Sequence, residues 1–220
     1  MRTLVSWSSG KDSAWMLSRL RDDPSVEVAG LLTTVNGSNG RVAMHGVRRS
    51  LVEAQAAAAG LPVEIVDLPW PCPNGAYEDA FAAAVERAKA DGVRAIAFGD
   101  LFLEDIRDYR VGLLDGTGVR PLFPIWCGRD RTAALAGEMV AAGVRGVVTC
   151  VDPKQLDRRF AGRRFDAELL AELPAGVDRC AENGEFHTLC THAPCFSRPL
   201  AVSVGETVER GGFVFADVTP

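Results

Sequence analysis

The chain has 220 residues, 47% of them hydrophobic and 24% charged, with a formal net charge of −5. That length can bury a sizeable core, and the acidic balance argues against a general attraction to nucleic acid or anionic membranes. No apolar run nears the roughly 20 residues that span a bilayer, and Met1 stands almost on a strand, so a cytoplasmic protein without an export signal is expected.

The first strand is "TLVSW" (3–7), followed by a helix from "DSAWMLSRLRDD" (12–23). "VEVAGLLTTV" (26–35) reads as a second strand and "GVRRSLVEAQAAAAG" (46–60) as a helix stopped by Gly60. "LPVEIVDL" (61–68) is a third strand. Tyr77, Phe81, Ala84, Val85 and Ala88 then recur at helical spacing, which predicts an amphipathic helix over 77–90. "VRAIAFGD" (93–100) is a fourth strand ending in Gly99-Asp100. Alternating helices and apolar strands predict a doubly wound parallel α/β sheet. A helix near 131–142 and a strand at 145–151 continue the rhythm; past Asp152 it breaks. A charged stretch and two strand-like runs, "RPLAVSVGETVE" and "GFVFADV", predict a smaller α+β portion. The expected division is 1–130 and 131–220.

Between the first strand and the first helix lies "SSGKDS" (8–13). A strand, a small-residue loop and a helix start together make an anion site, because loop amides and the first helical turn present unpaired N–H groups to one spot. Ser8, Ser9, Gly10 and Ser13 allow close approach and supply hydroxyls. Lys11 adds a charge suited to phosphate, and Asp12 can cap the helix or reach a phosphate-bound Mg²⁺. Neither G-x-x-x-x-G-K-[ST] nor G-x-G-x-x-G is present.

"SSGKDS" resembles the S-G-G-x-D-S loop of the ATP pyrophosphatases. With "MHGVRRSLVEAQAAAAGLPVEIVDLP" (44–69), "FGDLFLEDIRDYRVGLL" (98–114) and "CAENGEFHT" (180–188), the whole chain resembles the diphthine–ammonia ligase family, a branch of the adenine nucleotide alpha hydrolase-like superfamily. The resemblance implies a Rossmann-like nucleotide domain of the PP-loop type, a smaller C-terminal domain and an active site between them. It implies ATP and Mg²⁺, adenylation of a carboxylate, attack by ammonia or an amine, and release of AMP and pyrophosphate. Carried onto this chain, Ser8, Ser9, Gly10, Lys11, Asp12 and Ser13, with Gly99 and Asp100, fall in the nucleotide site. Lys11, Asp12, Glu182 and Glu185 are the catalytic candidates, and Asp12 is the metal candidate. His45, Arg107, Arg110, Gly184 and Thr188 are expected on the substrate side. Ser9 and Ala181 stand where the family pattern has glycine, and "GDLFLEDIRDYR" departs from the tyrosine-glutamine-arginine form of the diphthamide enzymes. The acceptor carboxylate is therefore left open.

Other readings compete. His187, Cys190, His192 and Cys195 read H-x2-C-x-H-x2-C, a cramped spacing for zinc. Six cysteines at 72, 127, 150, 180, 190 and 195 are scattered, which suits reduced thiols. Arg158, Arg159, Arg163 and Arg164 suit a solvated face. A non-catalytic adenine-nucleotide binder, like the universal stress proteins, explains the sheet but leaves Lys11 and the glutamates idle. A transfer-RNA-modifying enzyme of the same loop class would need catalytic cysteines or an RNA module, and neither is recognisable. Partners are thus a carboxylate and an amine, without membrane or nucleic acid, and a homodimer stays open.

Overall fold

The computed structural model describes residues 1–220. Its first sheet takes β1 (Arg2–Ser6), β2 (Glu27–Asn36), β3 (Arg41–Val42), β4 (Val63–Leu68), β5 (Ala95–Ala97) and β6 (Arg120–Leu122). The parallel strands lie in the order β4-β2-β1-β5-β6, and the short β3 pairs antiparallel with the far end of β2. The strand alternation dictates its two faces. Leu4, Leu32 and Ile96 face α3 (Asn74–Ala90) through Phe81, Ala84 and Val85. Val5, Leu31 and Ala97 face the opposite way, in one core with α1 (Lys11–Arg21) and α2 (Arg49–Ala59). Gly60 ends α2 with φ 65, the left-handed cap that glycine adopts most cheaply.

The second sheet is antiparallel and built on β7 (Arg145–Val151). β9 (Phe186–His192) pairs along one edge of β7; β8 (Arg164–Phe165) and β11 (Phe213–Thr219) share the other, and β10 (Ser203–Arg210) lies outside β11. The strand at 145–151 therefore starts this sheet and does not extend the parallel one. α4 (Glu104–Leu114), α5 (Thr132–Ala141) and α6 (Ala167–Glu172) complete the fold. The larger apolar cluster runs through both sheets, from Val5 and Leu17 to Phe160, Phe186 and Leu189. No helix is long and apolar enough to cross a membrane.

From β1 the chain passes through α1 to one side of the sheet, and from β5 through α4 to the other. The crevice beyond the carboxyl ends of β1 and β5 is therefore the switch point at which open α/β sheets bind ligands. Residues 7–10 and Phe98-Gly99-Asp100 sit there.

Candidate active site

The loop after β1 is buried and pinned from the second sheet. Ser9 O accepts hydrogen bonds from Cys190 N (2.8 Å) and Gln55 Nε2 (3.0 Å), and Lys11 N donates to Thr188 Oγ1 (3.1 Å). Gln55 also donates to Cys190 O (2.7 Å) and accepts from Trp7 Nε1 (2.9 Å), so this fully buried amide knots α2, the loop and β9 together. Gly10 leads into α1 without a side-chain cap, so Asp12 does not cap the helix. The first-turn amides of Asp12 and Ser13 have no intrahelical acceptor. Ser13 Oγ donates to Gly10 O (3.0 Å) and accepts from Ser8 Oγ (3.3 Å).

Around this loop lies a polar cleft of about 270 Å³. Ser8, Lys11, Asp12 and Ser13 line it with Gly99 and Asp100, and Glu182, Gly184 and Thr188 close it from the second sheet. His45 and Arg110 line it too, and both also line an adjoining cavity of about 550 Å³ whose walls include Thr33, Thr34, Tyr77, Phe81, Ile106 and Tyr109. Four segments far apart in the chain thus meet at the switch point.

The charges in the cleft are strongly coupled. Burial, the largest influence, pulls the Lys11 ammonium toward neutrality, but Asp12, with Oδ2 at 2.8 Å, together with Cys180 and Glu182 outweighs it, and the net shift is upward. Lys11 also donates to Cys180 O. Burial raises the Asp100 carboxyl, opposed by Arg110, whose Nε lies 3.7 Å from Asp100 Oδ2. Glu182 Oε1 accepts from Leu101 N (2.7 Å), yet burial, with Asp12 and Asp100 nearby, pushes its carboxyl up to about 7. Burial lowers both imidazoles, His45 and, further, His187; their ring centroids are 4.8 Å apart. Both therefore stay neutral at pH 7.

The remaining candidates lie elsewhere. Glu185 is buried and turned from the cleft: its Oε1 accepts from Asp178 N (3.0 Å) and Asn183 Nδ2 (2.9 Å). Its place beside Glu182 in the sequence does not put it beside Glu182 in the cleft, because the turn between them reverses the chain. Arg107 is exposed, its guanidinium 5.0 Å from the Trp126 ring centre and 5.4 Å from that of Phe123, outside both cavities. Ser9 does not line the cleft, and its Oγ is buried without a partner. Gly10 lies under His45: a Cβ there would stand 2.8 Å from His45 Cε1. The H-x2-C-x-H-x2-C run forms no metal-holding group; Cys190 Sγ donates to His192 O and Cys195 Sγ to Ala14 O. Arg158 and Arg163 pair with Glu209 and Glu172 on the surface.

Two oxygens test the fit of a cation: Asp12 Oδ1 and Asp100 Oδ2 are both buried without a hydrogen-bond partner, the latter facing only the Arg110 guanidinium at 3.7 Å. Two such carboxylates suit Mg²⁺, which keeps waters and takes substrate phosphates for its other positions. No preassembled group of three metal-ligating side chains is present, as that mode of binding allows.

A family profile described as diphthamide synthase N-terminal domain matches residues 1–120, and one described as diphthamide synthase C-terminal domain matches 131–216. The chain belongs to the diphthamide synthase family. A curated relative, the diphthine–ammonia ligase of Danio rerio, is 29% identical over 106 residues, covering 46% of this chain and 40% of its own length. The chain thus spans well under half of that relative. Within this family setting, two residues were not expected at the site: His187, weighed only as part of the cramped zinc-like run, and Gln55. His187 lies inside the glutamate motif and lines the cleft. Gln55 had a readable signal: with Leu51, Val52, Ala56 and Ala59 it sits on the apolar stripe of α2, where a lone amide must find buried partners.

Proposed function

We propose that this chain is an AMP-forming carbon–nitrogen ligase: it adenylates a carboxylate with ATP and lets ammonia or an amine displace AMP. The observation that carries this reading is the convergence of the 8–13 loop, Asp100 and Glu182 on one cleft that opens into a partly aromatic cavity. In this reading residues 1–130 bind the nucleotide and 131–220 serve the acceptor. The phosphates meet the free amides of Asp12 and Ser13, the Ser8 and Ser13 hydroxyls and Lys11. The nucleoside takes the larger cavity. Mg²⁺, held by Asp12 and Asp100, would neutralise phosphate charge.

A carboxylate is a poor electrophile, and esterification to AMP gives it a good leaving group, so no protein nucleophile is required. The cleft has to position the reactants and exclude water. Glu182, with its carboxyl near 7, is matched to take the proton that the amine nitrogen sheds on attack. Glu185 holds the turn on which Glu182 stands. The diphthamide-type acceptor of the family is one candidate among carboxylates, and the site is expected to act in the cytoplasm.

The test is product analysis with ATP, Mg²⁺, ammonium and a panel of carboxylates. AMP and pyrophosphate are expected. ADP and phosphate as main products would sink the reading, and ATP binding without turnover on any carboxylate would favour the non-catalytic nucleotide binder.

A further inference from the structure

The turn that carries His45 is held from outside the cleft. Residues 42–47 reverse tightly, with Gly46 N donating to Val42 O (2.9 Å) and Val42 N to Val47 O (2.9 Å). Met44 (φ 58) and Gly46 (φ 66) are both left-handed, and the Met44 side chain is 44% exposed, so its packing does little to enforce that backbone. The enforcing contacts come from β11. Phe215 lies so close to Gly46 that a Cβ there would stand 2.9 Å from its ring. Two residues on, Asp217 accepts from Arg48 Nη2 (2.6 Å) and Nε (3.2 Å) and from Arg41 Nη2 (2.8 Å). Arg41 Nη1 also donates to Gly46 O (2.7 Å). One carboxylate therefore ties together the two ends of the turn.

Inside the cleft the turn delivers a single group. His45 Nδ1 lies 2.9 Å from Thr188 O. A carbonyl only accepts, so Nδ1 carries the proton and Nε2 keeps its lone pair. That ring covers Gly10 and lines both cavities, so a shift of the turn moves the wall shared by the cleft and its neighbour. The ion pairs are partly exposed and add little to stability themselves, so their contribution is geometric.

We propose that Asp217 is a positioning residue of the nucleotide site: through Arg41 and Arg48 it fixes the turn that sets His45 against the phosphate loop. This rests on reading residues 8–13 as an ATP site. The experiment is calorimetric titration of the full chain with α,β-methylene-ATP and Mg²⁺, alongside thermal melting. Asp217→Asn should weaken binding about fivefold, the scale on which packed networks transmit coupling. Asp217→Glu should recover most of the loss, and Arg48→Gln should reproduce it should Asp217→Asn fail to fold. Asp67→Asn, which breaks the exposed pair between β4 and Arg49, the residue next to Arg48, should change nothing. In a His45→Ala background the Asp217→Asn loss should disappear, because the route through the imidazole is gone. A parent chain that does not bind the analogue overturns the ATP reading and this inference with it. A binding parent with an equally tight Asp217→Asn, or with a loss that persists in full without His45, overturns the inference alone.

Discussion

Ser9 is one of the two positions, with Ala181, that stand where the resembled pattern has glycine, and replacing it with glycine should stabilise the protein. Ser9 has φ 69, is fully buried, and its Oγ has no partner. Its carbonyl is what the fold uses, and that is kept in Ser9→Gly. Left-handed backbone costs a side-chain-bearing residue about 1–2 kcal/mol, and a buried unpaired hydroxyl about 1–3. Against this stand the extra freedom of unfolded glycine, about 0.5–1 kcal/mol, and one lost buried methylene, about 0.8. Central values leave a gain of about 2 kcal/mol, or about 4–8 °C in the unfolding midpoint for a chain of this size. Thermal unfolding by circular dichroism, with urea titration to confirm an unchanged slope, measures it. Ser9→Ala keeps the Cβ and the left-handed penalty but removes the hydroxyl without the costs specific to glycine, so it should gain a similar amount, about 2 kcal/mol. A lower midpoint for Ser9→Gly would refute the reasoning, since it would mean that the hydroxyl is engaged or that the left-handed backbone carries no penalty here.

Lys11→Met should abolish most binding of α,β-methylene-ATP, by tenfold or more (about 1.4 kcal/mol), and should also lower the melting temperature, because it strips Asp12 and Cys180 O of their shared partner; unchanged affinity would contradict the phosphate role. Glu182, raised by burial from 4.5 to about 7, keeps a proton in the folded chain that the unfolded chain releases. Its contribution to stability is therefore lost as pH rises from about 4.5 to 7, on the order of 3 kcal/mol in all, and Glu182→Gln should show a shallower decline over that window in denaturant titrations at stepped pH.

Much of the parallel sheet was legible because its strands are apolar, β-branched and punctuated by glycine. β7 fell at 145–151, the range expected, and Gly60 closed α2 as its position suggested. α4 was not legible as a helix: only Leu114 among its residues is buried, so no apolar stripe marks the run from Glu104 onward. β9 was missed for a different reason. "FHTLCTH" has no clean alternation, and its extended form follows from pairing with β7 along its length. The loop at 8–13 could be recognised because strand, small residues and helix are contiguous. The rest of the cleft could not be assembled from spacing alone, since Asp100 and Glu182 reach it through the strand order of the first sheet and the docking of the second.

The glutamate pair shows how far such docking changes what a motif means. In sequence Glu182 and Glu185 are equivalent carboxylates on either side of Asn183-Gly184, and a turn between them suggests two charges aimed at one substrate. Gly184 has φ 83, and the reversal it allows sends the two side chains to different surroundings. Glu185 takes the inward side, where the Asp178 amide and the Asn183 side chain satisfy Oε1. Asp178 in turn accepts from Glu182 N at 2.8 Å, so the inner carboxylate reaches the outer one through a single residue. Glu182 is left with one bond, to Leu101 N, in a cleft that already holds Asp12 and Asp100. Three carboxylates in one cleft repel, and burial disfavours every charge, so Glu182 carries a proton over a pH range in which an exposed glutamate would not. On the proposed function, ATP would enter only where Lys11, the loop amides and a cation offset that field. A group that titrates near 7 under such a field is suited to exchanging a proton, whereas its neighbour, bonded through Oε1 to the turn, is suited to holding it still.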